Sequence, residues 1–107
     1  MSSFDDRGRG EEKKFELSQE LEFKAQARRN KLLGLWAADL MGVSGPAAEE
    51  YAKSVVAADF EEKGDDDVFR KIRGDLDAKG VTQSDHQIRS RMSDLLNEAR
   101  AQVKSQA

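Results

Sequence analysis

The sequence predicts an all-α fold, a four-helix bundle with a flexible N-terminal arm, and three observations support this prediction. No run of residues alternates apolar and polar side chains, so strand signals are nearly missing. Apolar residues instead recur three or four positions apart, and the chain has a single proline. Of the 107 residues, 36% are charged and 37% hydrophobic, which suits helices that each bury one face. We therefore expect one domain, with the arm over residues 1–16 and the bundle over residues 17–107.

The first sixteen residues depart from the helical pattern. Gly8 and Gly10 lower the helix propensity, and only Phe4 and Phe15 interrupt a polar run. We expect this arm to be largely disordered when free in solution. Isolated aromatic residues in a polar segment are typical of an arm that folds onto a partner, and they are equally compatible with a simple flexible tail.

The first helix is predicted over residues 17–41 and is the longest element. Its predicted inner face consists of Leu21, Ala25, Leu32, Trp36 and Leu40. Because Trp36 lies on this face, we interpret it as a core residue rather than as a binding anchor. Gly34 falls inside the helix, where glycine costs about 1 kcal/mol relative to alanine.

The second helix is predicted to begin at Ser44, whose hydroxyl can cap it, with Pro46 in the first turn, where a missing amide hydrogen costs nothing. Gly64 follows its predicted end. The predicted inner face consists of Tyr51, Val55, Val56 and Phe60.

Two further helices complete the predicted bundle. Asp65 or Asp66 can cap the third, and Gly80 ends it. Ser84 and Gln87 form a capping-box pattern at the start of the fourth. The predicted core residues are Val68, Phe69, Ile72 and Leu76 in the third helix and Ile88, Met92, Leu95, Leu96, Ala99 and Val103 in the fourth. Short connections favour antiparallel packing of neighbouring helices.

The composition argues against an enzyme. The chain has no cysteine, one histidine, and no glycine-rich loop after a strand to hold a phosphate. We interpret His86 as a surface residue in the first turn of the fourth helix, and the acids at 65–67 as favourable charges at a helix N-terminus. The spacing of a calcium loop is absent. We therefore expect no cofactor and no metal.

Charge and hydropathy limit the partners. A net charge of −3 argues against the electrostatic grip of a polyanion-binding domain. Residues 7–10, Arg-Gly-Arg-Gly, resemble RNA-associating segments, but this is a single copy flanked by acidic residues. No stretch approaches the ~20 apolar residues of a spanning helix, and the start lacks an export signal. We expect a soluble, cytoplasmic protein without direct membrane insertion and without a nucleic-acid partner.

A basic patch is predicted on the first helix, because the only charges between Phe23 and Asp39 are positive. The patch consists of Lys24, Arg28, Arg29 and Lys31. One interpretation is that these side chains pair with acids of the second helix, namely Glu49, Glu50, Asp59, Glu61 and Glu62. The other is that they bind an anionic ligand such as a nucleotide.

Two segments resemble a known family. These are FDDR at residues 4–7 and, above all, the block ARRNKLLGLWAA at residues 27–38. Phe15, the FKA segment at residues 23–25 and the order of four helices also match, so the resemblance covers essentially the whole chain. The chain resembles the zeta inhibitor subunit of alphaproteobacterial F-type ATP synthases.

The resemblance implies a four-helix bundle whose arm enters a catalytic interface between the alpha and beta subunits, beside the gamma subunit, and blocks ATP hydrolysis. It implies a regulator without its own catalysis, in the cytoplasm and peripheral to the inner membrane through the ATP synthase. The inhibitory region of the family corresponds here to residues 2–17. The implied contact residues are Phe4, Asp5, Asp6, Arg7 and Phe15, with Lys13 and Lys14 secondary. Gly8 and Gly10 depart from the family pattern and predict weaker inhibition.

Overall fold

A computed structural model describes residues 18–59 and 65–106. These residues form four α-helices and no strand: α1 (Gln19–Leu40), α2 (Pro46–Ala58), α3 (Asp66–Ala78) and α4 (Asp85–Gln106). The prediction of an all-α fold of four helices is confirmed. The arm over residues 1–16 lies outside the described residues, as do the acids Glu61 and Glu62 and the predicted core residue Phe60.

The helix caps agree with the sequence at some ends and not at others. The Ser84 hydroxyl accepts a hydrogen bond from the Gln87 amide at 3.0 Å, and the Gln87 side chain accepts one from the Ser84 amide at 2.9 Å, so the capping box is confirmed. Pro46 opens α2 as predicted. The Ser44 cap is wrong, because the residue before α2 is Gly45, at a φ of 65°, which disfavours any residue with a Cβ.

The central helix is α1, which packs along both α2 and α4, while α3 contacts the other three helices more lightly. The α1–α4 pair is antiparallel, since Glu22 meets Arg100 and Trp36 meets Arg91. The core between the helices consists of Leu33, Ala37, Val55, Val68, Ile72, Leu76, Ile88, Met92 and Leu95. A second, smaller cluster of Ala25, Ala99 and Val103 joins the start of α1 to the end of α4.

The predicted inner faces of α3 and α4 are confirmed except for Phe69 and Leu96, which are half-buried, but that of α1 is displaced. The buried residues of α1 are Ala25, Arg29, Asn30, Leu33, Gly34, Ala37 and Ala38. The other four predicted residues, Leu21, Leu32, Trp36 and Leu40, are only half-buried. The helix is therefore rotated so that Leu33, its small residues and the polar Arg29 and Asn30 lie in the interior, rather than Leu32 and Trp36. Trp36 packs against the margin of the core, as part of the structural framework.

The contact between α1 and α2 is also formed by smaller residues than the sequence predicted. The buried residues of α2 are Ala48, Ala52 and Val55, whereas the predicted Tyr51 and Val56 are half-buried. A Cβ atom on Gly34 would lie 2.7 Å from the Cα of Ala52. This glycine allows the two helix backbones to approach each other closely.

Candidate functional site

The predicted contact residues of the arm all lie outside the described residues: Phe4, Asp5, Asp6, Arg7, Lys13, Lys14 and Phe15. The structure instead describes the segment that follows the arm, residues 18–25 at the start of α1, which we call the base. The base begins at Ser18, which has an extended backbone and caps α1 by accepting a hydrogen bond from the Leu21 amide at 3.1 Å. The first helical turn after the arm therefore has its own cap.

The base is fixed to the far end of the chain. Ala25 is fully buried in a cluster with Ala99 and Val103 of α4. Beside this contact, the Arg100 guanidinium donates two hydrogen bonds, of 2.7 and 3.1 Å, to the two carboxylate oxygens of Glu22. Hydrogen bonding from Arg100 holds the pKa of Glu22 below its usual range. Two-point pairing of this kind fixes the orientation of the helices as well as their separation.

Three of the four predicted patch residues make separate surface interactions. Lys24 lies 3.9 Å from Glu20 on its own helix. The Arg28 guanidinium donates to Gln102 and Gln106 of α4, at 3.4 and 3.0 Å. Lys31 lies 3.7 Å from Glu49 of α2, which is the kind of pairing that the sequence suggested. These side chains are therefore directed to three different elements.

Arg29 is not part of an exposed patch, because its side chain is buried. It donates from Nη2 to the Asp65 carboxylate at 2.7 Å and from Nε to the Asn30 side chain at 2.7 Å. Its Nη1 makes no hydrogen bond to any residue that the structure describes. Burial also raises the pKa of the neighbouring Asp59. Arg29 thus fastens the start of α3 to the central helix.

The acids that begin α3 are engaged in structural contacts. Asp65 accepts from Arg29, and Asp66 accepts from Arg89 of α4 at 3.2 Å. Asp67 is buried and accepts from the Val68 amide at 2.8 Å. Within residues 18–59 and 65–106, no three His, Cys, Asp or Glu side chains are grouped as metal ligands would be. His86 lies exposed in the first turn of α4.

Two of the surface grooves are lined by residues of the predicted basic patch or by Trp36 and His86. One, of ≈ 160 Å³, is lined by Leu21, Lys24, Arg28, Val103 and Gln106. Ligand pockets usually enclose roughly 300–1,000 Å³, so this groove is small for a nucleotide. The other, of ≈ 340 Å³, is lined by Trp36, Gln83, His86, Gln87, Ser90, Arg91 and Asp94. Sequence reasoning missed it, because two helices and a connection contribute to it.

One large apolar side chain is exposed on α1. Phe23 is 58% exposed in the second turn of α1, and no other large hydrophobic side chain is exposed in the described parts of the chain. This exposure could have been predicted from the sequence, because Phe23 lies outside the apolar face of the helix.

Within residues 18–59 and 65–106, none of the helices combines the length and the hydropathy that crossing a membrane requires.

Comparison with known proteins gives a consistent assignment. A structure determined by solution NMR is 47% identical, with a TM-score of 0.72, and the match covers 81% of this chain and 99% of that one. No curated protein matches. The model of the family described as ATPase inhibitor subunit zeta matches residues 1–102, which is nearly the whole chain. The chain therefore belongs to the ATPase inhibitor subunit zeta family.

Proposed function

We propose that the protein blocks ATP hydrolysis by inserting its N-terminal arm at a catalytic alpha/beta interface of the F-type ATP synthase, beside the gamma subunit. Family membership supports an ATPase-inhibitory role that acts through components of that enzyme. The observation that carries the finer proposal is the extent of the family match, which begins at residue 1 and so includes the arm together with the bundle. The protein is a regulator and contributes no catalysis of its own.

The residues of the arm suit insertion into an interface between subunits. Phe4 and Phe15 are aromatic anchors of the kind that fill apolar pockets. Charged side chains beside them can form hydrogen bonds that fix the position of the arm, and these are Asp5, Asp6, Arg7, Lys13 and Lys14. The arm supplies both an apolar and a polar component of recognition.

The bundle holds the base of the arm in place. Because Glu22 and Ala25 hold α1 against α4, the start of α1 is a fixed point from which the arm extends. Ordering some fifteen arm residues opposes binding by ~1 kcal/mol or more of backbone entropy per residue. Inhibition should therefore depend on the catalytic state of the interface and be reversible when rotation opens it. Bound in this way, the protein is peripheral to the inner membrane on its cytoplasmic side.

Removal of residues 1–16 is expected to abolish inhibition while leaving the bundle folded. The four helices and their core lie beyond the deleted segment, so circular dichroism should show a cooperative unfolding transition for both forms. The measurement is ATP hydrolysis by the isolated catalytic head of the same ATP synthase, titrated with the full chain and with the truncated chain. Equal inhibition by both forms would contradict the proposed role of the arm.

We propose that the arm binds as a helix, so replacing Gly8 and Gly10 together by alanine is expected to strengthen inhibition. Two glycines weaken a helix by roughly 2 kcal/mol relative to alanine, and tenfold in affinity corresponds to about 1.4 kcal/mol. The concentration for half-inhibition should therefore fall by up to roughly thirtyfold in the same hydrolysis assay. Gly74→Ala is the matched control, since it makes the same change within the bundle and should leave inhibition unchanged. Unchanged or weaker inhibition by the double variant would count against a helical bound arm.

A further inference from the structure

The first ten residues of α1, residues 19–28, extend beyond the ends of the two short helices. Asp65, just before α3, bonds to Arg29, and Asp59, just after α2, interacts with Asn30. From this point α1 continues toward the arm beside α4. An isolated helix of fewer than about 12 residues is marginal in water. The helical order of this segment therefore depends on the helix that it packs against.

The end of α4, residues 99–106, gives this segment an apolar contact. Ala25 is fully buried in a cluster with Ala99 and Val103. In the described structure the main core has Leu95 as its last member along the chain, so all three residues of the cluster lie outside that core. The four helices are therefore joined by a core that does not include the end of α4, and this stretch packs on the start of α1 instead.

Polar side chains of the same stretch hold the start of α1 at two levels. The Arg100 guanidinium donates to both carboxylate oxygens of Glu22, at 2.7 and 3.1 Å, and this hydrogen bonding also raises the pKa of Arg100. Gln102 and Gln106 accept from the Arg28 guanidinium, at 3.4 and 3.0 Å. Glu22 and Arg28 are about 9 Å apart along the helix axis. A helix that is held at two such levels has a fixed direction as well as a fixed position.

We propose that the end of α4 positions the arm: residues 99–106 keep the start of α1 helical, fix the direction in which the arm leaves the bundle, and so determine how strongly the arm inhibits. This inference rests on the proposed function. Arg100 is a positioning residue, because it acts through Glu22 rather than through contact with the ATP synthase. If the start of α1 unfolds, binding must restore its order in addition to that of the arm, and the affinity falls.

The test compares inhibition of the isolated catalytic head by the full chain, by Arg100→Gln and by a chain that lacks residues 99–107. We expect the concentration for half-inhibition to rise by roughly fivefold in Arg100→Gln, the upper limit for a partly exposed ion pair. The shortened chain also loses the apolar contact, so its rise should be roughly tenfold or more. Parent-like inhibition by both altered chains would overturn the proposal.

Arg89→Gln is the matched control for Arg100→Gln. It removes an arginine of the same helix that is exposed to a similar extent, 48% against 43%, but whose partner is Asp66 at the start of α3. Because this pair does not touch the start of α1, Arg89→Gln should inhibit as the parent chain does. An equal loss of inhibition in Arg89→Gln and Arg100→Gln would show a general effect of charge and would reject the positioning role.

Amide hydrogen exchange separates positioning from a general loss of stability. In Arg100→Gln, exchange should become faster at residues 19–28 and remain slow at Leu33 and Ala37, which lie in the main core. This local change, together with weaker inhibition, supports the proposal. Exchange at residues 19–28 that is as slow as in the parent chain overturns it, as does faster exchange without any loss of inhibition.

The chain that lacks residues 1–16 is assayed in parallel, so that failure of this proposal can be told from failure of the proposed function. Loss of inhibition in that chain, with parent-like inhibition by Arg100→Gln and by the chain that lacks residues 99–107, rejects only the positioning role of α4. Undiminished inhibition by the chain without the arm rejects the proposed function, and the positioning role with it.

Discussion

Replacing Gly34 by alanine is expected to lower the free energy of unfolding by roughly 2 kcal/mol, although alanine is the better helix former. The new Cβ would lie 2.7 Å from the Cα of Ala52 and 3.2 Å from side-chain atoms of Ala52 and Val55. The closest of these atoms belongs to the backbone of α2, so the contact cannot be relieved by a rotamer change. The two helices must separate, and the core between them loses packing.

Gly74→Ala provides the matched control for this prediction, because Gly74 is also inside a helix but has nothing within 4 Å of an added Cβ. Here only the helix propensity changes, and the free energy of unfolding should rise by about 1 kcal/mol. Urea denaturation of both variants against the parent chain measures the two effects. If Gly34→Ala were as stable as Gly74→Ala, the close packing of α1 on α2 would be wrong.

Local patterns in the sequence were sufficient for much of the fold. The four helices, in order, follow from apolar spacing, and the inner faces of α3 and α4 follow from the same spacing. The Ser84–Gln87 capping box also formed as predicted, because both partners lie within one turn and need no tertiary contact. The Ser44 cap, which is equally local, did not form, because Gly45 takes the capping position at a positive φ.

The face of α1 could not be predicted because its burial depends on a distant residue. Arg29 and Asn30 are polar, so an apolar pattern assigns them to the surface. The partner that permits burial of Arg29 is Asp65, 36 positions away in the sequence. With these two residues inside, Leu32 and Trp36 move to the edge of the core. The conspicuous block at residues 27–38 thus contains most of the buried face of the central helix.

The candidate site was predicted from resemblance more than from chemistry. The residues of the arm alone left a partner-binding segment and a simple tail equally open, and the family match favours the first. The charge pattern predicted a basic patch, but the structure buries Arg29 and directs Lys24, Arg28 and Lys31 to separate partners. A run of charges along a helix does not specify which of them faces solvent.

The ion pair between Arg29 and Asp65 leads to the second large prediction. Asp65→Ala is expected to lower the free energy of unfolding by about 3 kcal/mol, because it leaves a buried guanidinium without its hydrogen-bonded carboxylate. The loss of a helix cap does not contribute, since the Asp65 side chain makes no capping hydrogen bond. The measurement is again urea denaturation, with the m-value checked for a two-state transition.

The adjacent acid supplies the control. Asp66 pairs with Arg89 at 3.2 Å, but the Arg89 side chain is 48% exposed whereas that of Arg29 is 1% exposed, and exposed pairs contribute roughly 0–1 kcal/mol. Asp66→Ala should therefore lower the free energy of unfolding by less than 1 kcal/mol. Combining Asp65→Ala with Arg29→Met should recover part of the stability, because methionine fills the site without a buried charge. Equal effects of the two aspartate substitutions, or no recovery in the double variant, would show that burial of Arg29 does not depend on its pairing with Asp65.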